Sequence, residues 1–235
     1  MVVGGIATSA FLWSAGFFDR DALRLFVPQG RRAPVAALLF SGDTGLRYGM
    51  GPSIARSLAH VGIEVAGVSS PSLFGLHRSR TELDAIVADA VRQGLARSKA
   101  ARLVLIGQSF GADVLQTGLA DLPVALRHRI AAVILVVPGK SVFFRADPTG
   151  IAYRGTPDSL AASTIDQIDW APLTCIYGLA ETDSACPAVH VEGAHVIGMP
   201  GGHFLSRDSQ GLARQILAAI ERAVPGAAQP DTAPS

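Results

Sequence analysis

Six short apolar runs punctuate the chain: VAALLF (35–40), IEVAGVS (63–69), RLVLIG (102–107), AAVILVV (131–137), LTCIYG (173–178) and HVIGM (195–199). They are mainly aliphatic and β-branched, with little polar alternation, which is the pattern of strands covered on both faces. Between them, polar and apolar positions take up helical spacing in SIARSLAHVG, TELDAIVADAVRQGLAR (81–97), ADVLQTGLADL (112–122) and SQGLARQILAAIERAV (209–224). In the last of these, Leu212, Ile216, Ala219 and Ile220 recur three and four residues apart and make one apolar face. Strands alternating with helices predict crossover units, hence a mostly parallel sheet with helices on both sides: an α/β fold.

Three stretches depart from the alternation. The segment 138–170 scatters Gly, Pro, Asp and Ser among aromatics and reads either as a small lid over the carboxyl edge of the sheet or as a long connection. The opening MVVGGIATSAFLWSAGFF carries no charge before Asp19 and lacks a basic leader. Residues 1–20 are therefore expected to be an export signal or membrane anchor, a buried first strand being the alternative. Residues 21–225 form the single expected domain, and the small, polar, proline-bearing tail 226–235 is expected to be disordered.

Composition narrows the function classes. With 20 basic against 19 acidic residues and no basic run beyond Arg31-Arg32, a sustained nucleic-acid interface is not encoded. The chain has neither a Gly-Lys-Ser/Thr phosphate loop nor a G-x-G-x-x-G turn, so no cofactor is expected. Two cysteines, Cys175 and Cys186, cannot supply four zinc ligands, and no metal is expected. They are two core thiols or one disulfide, and an exported context favours the disulfide.

The chemistry concentrates at Gly107-Gln108-Ser109-Phe110-Gly111. A Gly-x-Ser-x-Gly pentapeptide alone is a weak signal, but this one follows a strand-like run and opens a helix-like one, the setting of a nucleophile elbow. A serine hydroxyl needs a base to take its proton and a third group to orient that base, and on this fold they follow in the order Ser, acid, His. His203, in the Gly-rich MPGGHF after the last strand, is the expected base. Asp183 is the first choice for the acid and Glu181 the alternative, because spacing cannot separate two carboxylates so close together after LTCIYG. The oxyanion donors are expected to be the amide of Phe110 and one from the loop after the first strand, from Asp43 or Thr44.

Taken together, LLFSGDTG (38–45), IARSLAHVGIEVAGVSS (54–70), RTELDAIVAD (80–89), LVLIGQSFGADVL (103–115), CIYGLAETDSACP (175–187) and MPGGHF (199–204) resemble the bacterial VirJ/AcvB family of α/β-hydrolase-like proteins. Thr44 and Leu46 stand where that family has Gly and Trp, and Phe204 stands where it has a second His. The resemblance implies an α/β-hydrolase fold, a Ser109–Asp183–His203 triad, and a pair in Cys175 and Cys186 that can close a disulfide. It also implies a periplasmic location and hydrolysis of the aminoacyl ester of lysyl-phosphatidylglycerol. The N-terminal run would then anchor the chain to the inner membrane.

The expected partners are accordingly an aminoacylated phospholipid, the membrane surface and components of a secretion system. An ester of a cationic amino acid calls for an acidic pocket wall, for which Asp113, Glu181 and Asp43 are the candidates. The rival expectations are a catalytically idle hydrolase fold serving as an adaptor in type IV secretion, and a generic carboxylesterase.

Overall fold

The computed structural model describes Trp13 and residues 16–227. The run expected to be an export signal or anchor lies mostly outside the described residues, and so does most of the expected disordered tail. Among the described residues no helix is long and apolar enough to cross a membrane.

In chain order the elements are β1 (Leu23–Phe26), β2 (Ala36–Phe40), α1 (Gly51–His60), β3 (Val65–Val68), α2 (Ser70–Phe74), α3 (Arg80–Ser98), β4 (Leu103–Gln108) and α4 (Phe110–Ala120). There follow α5 (Val124–Arg127), β5 (Ile130–Val136), β6 (Ser141–Val142), β7 (Ser159–Leu160), β8 (Leu173–Gly178), β9 (His195–Met199) and α6 (Ser209–Ala223). The main sheet runs β1-β3-β2-β4-β5-β8-β9. Its strands are parallel except β1, which pairs antiparallel with β3. This is the α/β-hydrolase fold that the alternation and the resemblance predicted.

Period-two alternation decides which side chain meets which layer. Leu38, Phe40, Leu105 and Leu135 join Leu83 and Val87 of α3 and Leu115 of α4 in one core. Leu39, Ile106 and Ile134 point the other way and join Ile54 and Leu58 of α1 and Ile216 and Ile220 of α6. Each such side chain, fully withdrawn from water, contributes roughly 1.5–3 kcal/mol. The helix α3 is delimited by local chemistry: Ser79 and Glu82 form a reciprocal capping box at its start, and Lys99 closes it in the left-handed conformation.

Two features differ from the apolar-run reading. Strand β1, Leu-Arg-Leu-Phe, was not among the predicted strands because it lies at the sheet edge, half exposed, where alternation replaces a continuous apolar run. The segment 138–170 lines the cavity at the carboxyl edge of the sheet and is more than a bare connection. It is a packed excursion in which β6 pairs with β7 and Phe144, Ala146, Ala161, Ile165 and Ile168 enter the α3/α4 core. A His77–Asp158 contact of 2.8 Å ties it to the loop before α3.

Cys175, in β8, and Cys186 are joined in a disulfide and fully buried. The bond closes the loop that carries Glu181 and Asp183. Closing so short a loop contributes about 2–3 kcal/mol in the chain-entropy treatment. The double substitution Cys175→Ala/Cys186→Ala is expected to lower the unfolding free energy by that amount in urea titration, and reduction of the parent chain to lower it to the same level. A variant as stable as the oxidised parent would show that the bond carries no load.

Candidate active site

Strand β4 ends at Gln108 and α4 begins at Phe110, so the turn between them is one residue, Ser109, at φ 54° and ψ −128°. A non-glycine residue adopts such a backbone only where its surroundings impose it. Here the Ser109 amide donates to the Val136 carbonyl at 2.9 Å, while its own carbonyl accepts from the amides of Ala112 and Asp113. The flanking glycines are needed for close approach. A Cβ at Gly111 would stand 2.3 Å from the Ser41 carbonyl oxygen, and one at Gly107 2.5 Å from the Ala112 Cα. The turn is thus pressed against the end of β2, with the Ser109 hydroxyl held above the sheet.

Ser109 Oγ lies 2.7 Å from His203 Nε2, and His203 Nδ1 lies 2.5 Å from Glu181 Oε1. The residue against the imidazole is therefore Glu181, and the assignment of Asp183 to that position is corrected. The reason is how the two halves of the 179–185 loop are tied. Amides of Leu179 and Ala180 donate to the carbonyls of Met199 and Gly201, so the first half is stitched to the turn that leads into His203. Gly178 permits this contact, since a Cβ there would meet the Gly202 carbonyl oxygen at 2.2 Å. The second half is stitched to the other side of the cleft: Lys140 donates its amide to the Asp183 carbonyl and its Nζ to the Thr182 carbonyl. Asp183 consequently faces Gly139 and Asp113 rather than the imidazole.

Phe110, Asp43 and Thr44, the expected sources of the oxyanion donors, line the same cavity as Ser109. The Phe110 amide sits in the first turn of α4, where amides have no intrahelical acceptor. Across from it, the loop after β2 brings Asp43 and Thr44 to the pocket. The Gly42 amide donates to Gln108 Oε1 at 3.1 Å and fixes the start of this loop.

Sequence reasoning missed two residues here. Gln108, the first of the two variable positions of the pentapeptide, braces this loop. Tyr153 donates its hydroxyl to Asp43 Oδ2 at 3.3 Å and stacks on Phe110. The first has a signal in its place beside the serine; the second has none, because it lies in the irregular 138–170 excursion.

These groups line a cavity of about 480 Å³. Four carboxylates face it, Asp43, Asp113, Glu181 and Asp183, and its described lining includes no lysine or arginine. Asp113 accepts the Gly139 amide at 2.8 Å. Burial, with the like charges of Asp183, Glu181 and Asp43 adding to it, holds the Asp113 carboxyl well above the usual carboxylate range, against the opposing Gly139 hydrogen bond. Burial also raises Asp43, opposed by Tyr153 and His203. Among the described residues no His/Cys/Asp/Glu group is arranged to hold a metal ion. A hydroxyl, a base, a buried acid and two donors around one cavity can carry out nucleophilic acyl chemistry.

Comparison with known proteins places the chain in a family and a fold. The model of the family described as Bacterial virulence protein (VirJ) matches residues 34–224. The chain belongs to this family. A search among curated proteins finds no match.

The VirJ-family chain is similar in structure to XC6422 from Xanthomonas campestris, described as an α/β serine hydrolase without a lid. The TM-score is 0.60 at 18% identity, over 87% of this chain and 89% of that one. It is similar as well to Est1E from Butyrivibrio proteoclasticus, with a TM-score of 0.58 at 14% identity over 84% and 93%. An α/β serine hydrolase homologue from Coxiella burnetii gives 0.59 at 13% over 86% and 90%. At these identities the likeness establishes the α/β-hydrolase fold.

The raised Asp113 carboxyl has a consequence for stability. Between the ordinary carboxylate range and its raised value, the folded chain holds a proton that the unfolded chain has released, so stability falls as pH rises through that window. Asp113→Asn keeps the acceptor for Gly139 and cannot ionise. Its melting temperature relative to the parent is expected to climb as pH rises above the ordinary carboxylate range. A difference independent of pH would mean that Asp113 is not held protonated by its surroundings.

Proposed function

We infer that this VirJ-family chain is a serine hydrolase of carboxylic esters, and that its substrate is the aminoacyl ester of a phospholipid, lysyl-phosphatidylglycerol, met in the periplasm. The hydrogen-bonded chain Ser109–His203–Glu181 at a cavity faced by four carboxylates carries this reading. The first part supplies the reaction and the second the preference for a cationic acyl group.

His203 Nε2 takes the Ser109 proton as Oγ attacks the ester carbonyl carbon, and Glu181 balances the imidazolium that forms. The carbonyl oxygen, now an oxyanion, is met by the Phe110 amide and the Asp43–Thr44 loop. Collapse of the intermediate expels the glycerol oxygen, which leaves with the proton from His203. Water, deprotonated by the same imidazole, then hydrolyses the acyl-enzyme and releases the amino acid. An aminoacyl group carries at least one ammonium, which Asp183 and Asp43 attract in a cavity lined by no lysine or arginine, with the protonated Asp113 beside them as a polar wall. The buried disulfide fits an oxidising compartment such as the periplasm, where it would persist.

Purified full-length chain is expected to release lysine from lysyl-phosphatidylglycerol and to prefer it to a neutral acyl ester of nitrophenol. Hydrolysis of the neutral ester alone would reduce the reading to a generic carboxylesterase, and hydrolysis of neither would leave the adaptor. Ser109→Ala is expected to abolish turnover while leaving the cooperative melt in place.

The acid is tested separately. Glu181→Gln is expected to lower kcat by on the order of 10³–10⁴, because the amide no longer favours the tautomer and charge the base requires. Asp183→Asn should leave kcat for the neutral ester within about tenfold while raising KM for the cationic one. The reverse ranking would return the orienting role to Asp183.

A further inference from the structure

Beside the pocket of Ser109 lies a second, larger cavity of about 790 Å³. Phe17, Phe18, Leu76 and Ile151 make its lining largely apolar, and its charged residues are two arginines, Arg78 and Arg145, and one carboxylate, Asp147. Pro148 and Thr149 line both cavities, so a single loop separates this groove from the reacting groups. Leu76, Ile151 and Phe18 are 73%, 66% and 59% exposed. Large apolar side chains gathered around one groove and left in water mark a place where something binds.

The chemistry of the groove selects an anion with a hydrocarbon tail. Arg78 is partly committed, its Nε donating to the Leu73 carbonyl and its guanidinium lying 3.6 Å from Glu82. Arg145 is exposed, and its charge helps to hold the Asp147 carboxyl low after burial has acted the other way. That carboxylate is itself tied into its own turn, accepting from the amides of Thr149 and Ala152 and from the Thr149 hydroxyl. A guanidinium at the edge of an apolar groove matches a phosphate with a chain attached.

The uncharged opening run of the chain also ends in Phe17 and Phe18. Both side chains line the groove beside Arg78 and Arg145. A second copy docking by the same face would set its own arginines against these.

We propose that this groove is the subsite for the glycerophospholipid half of the substrate. One acyl chain lies against Phe18, Leu76 and Ile151, the phosphate meets Arg145, and the ester crosses the Pro148–Thr149 wall to reach Ser109. The proposal rests on the ester-hydrolase reading above.

Calorimetry on full-length Ser109→Ala with dihexanoyl-phosphatidylglycerol, kept below its critical micelle concentration, tests it without any membrane present. This lipid is expected to bind at least about tenfold more tightly than glycerol phosphate, which lacks the chains. Leu76→Glu/Ile151→Glu should weaken it by about tenfold or more. Arg145→Glu should narrow the preference for phosphatidylglycerol over dihexanoyl-phosphatidylcholine. In the otherwise unaltered chain, the same substitutions should leave turnover of a water-soluble nitrophenyl ester within about twofold.

Lipid affinity that is absent, or unchanged in every variant, overturns the proposal. So does a dimer that Ile151→Glu dissociates in place of lipid binding, which would assign the groove to a second copy. A parent chain that binds the lipid but hydrolyses no ester would instead sink the hydrolase reading and leave the groove as a lipid site.

Discussion

The arrangement depends on backbone approaching backbone where no side chain could fit. Gly111 lies against the carbonyls of Phe40 and Ser41, and Gly178 lies against those of Gly201 and Gly202, each closer than a Cβ would allow. The first contact presses the serine turn onto the end of β2 and so brings the loop after β2 to Ser109. The second joins the end of β8 to the turn after β9 and so brings Glu181 to His203. Neighbouring parallel strands end at the same level, and these two contacts convert that level edge into distances of hydrogen-bonding length. The cost is carried by Ser109, whose backbone stays in a region that ordinary residues avoid.

Charge is the second organising term. Four carboxylates share a cavity whose one titratable base is His203, and the like charges reinforce the effect of burial on Asp113. Such a site is electrostatically unfavourable when empty of cations and is relieved by one. The disulfide acts on the same loop from beneath, fixing β8 to Cys186 while the loop between them reaches across the cleft to both walls.

The 138–170 excursion links these parts to the outer surface. Its Tyr153 stacks on Phe110 and packs against Phe143, its Pro148–Thr149 turn divides the two cavities, and its apolar positions are buried in the α3/α4 core. It therefore serves as a wall, and a change in its packing would reach Asp43 through Tyr153.

Periodicity and the order of motifs were enough to read six of the seven strands of the main sheet, the principal helices, the fold, the serine at its turn and the histidine after the last strand. These are local signals: apolar runs, helical spacing, and glycines flanking a serine between a strand and a helix. The acid was not decided that way, because Glu181 and Asp183 sit in the same loop with the same chemistry. The choice between them came from which half of that loop is hydrogen-bonded to the turn before His203 and which to Lys140, a matter of contacts between segments far apart in the chain. Tyr153, Gln108 and the apolar groove were hidden for the same reason. Their roles lie in what they face across the cleft, and that is set only when the sheet has brought the ends of its strands together.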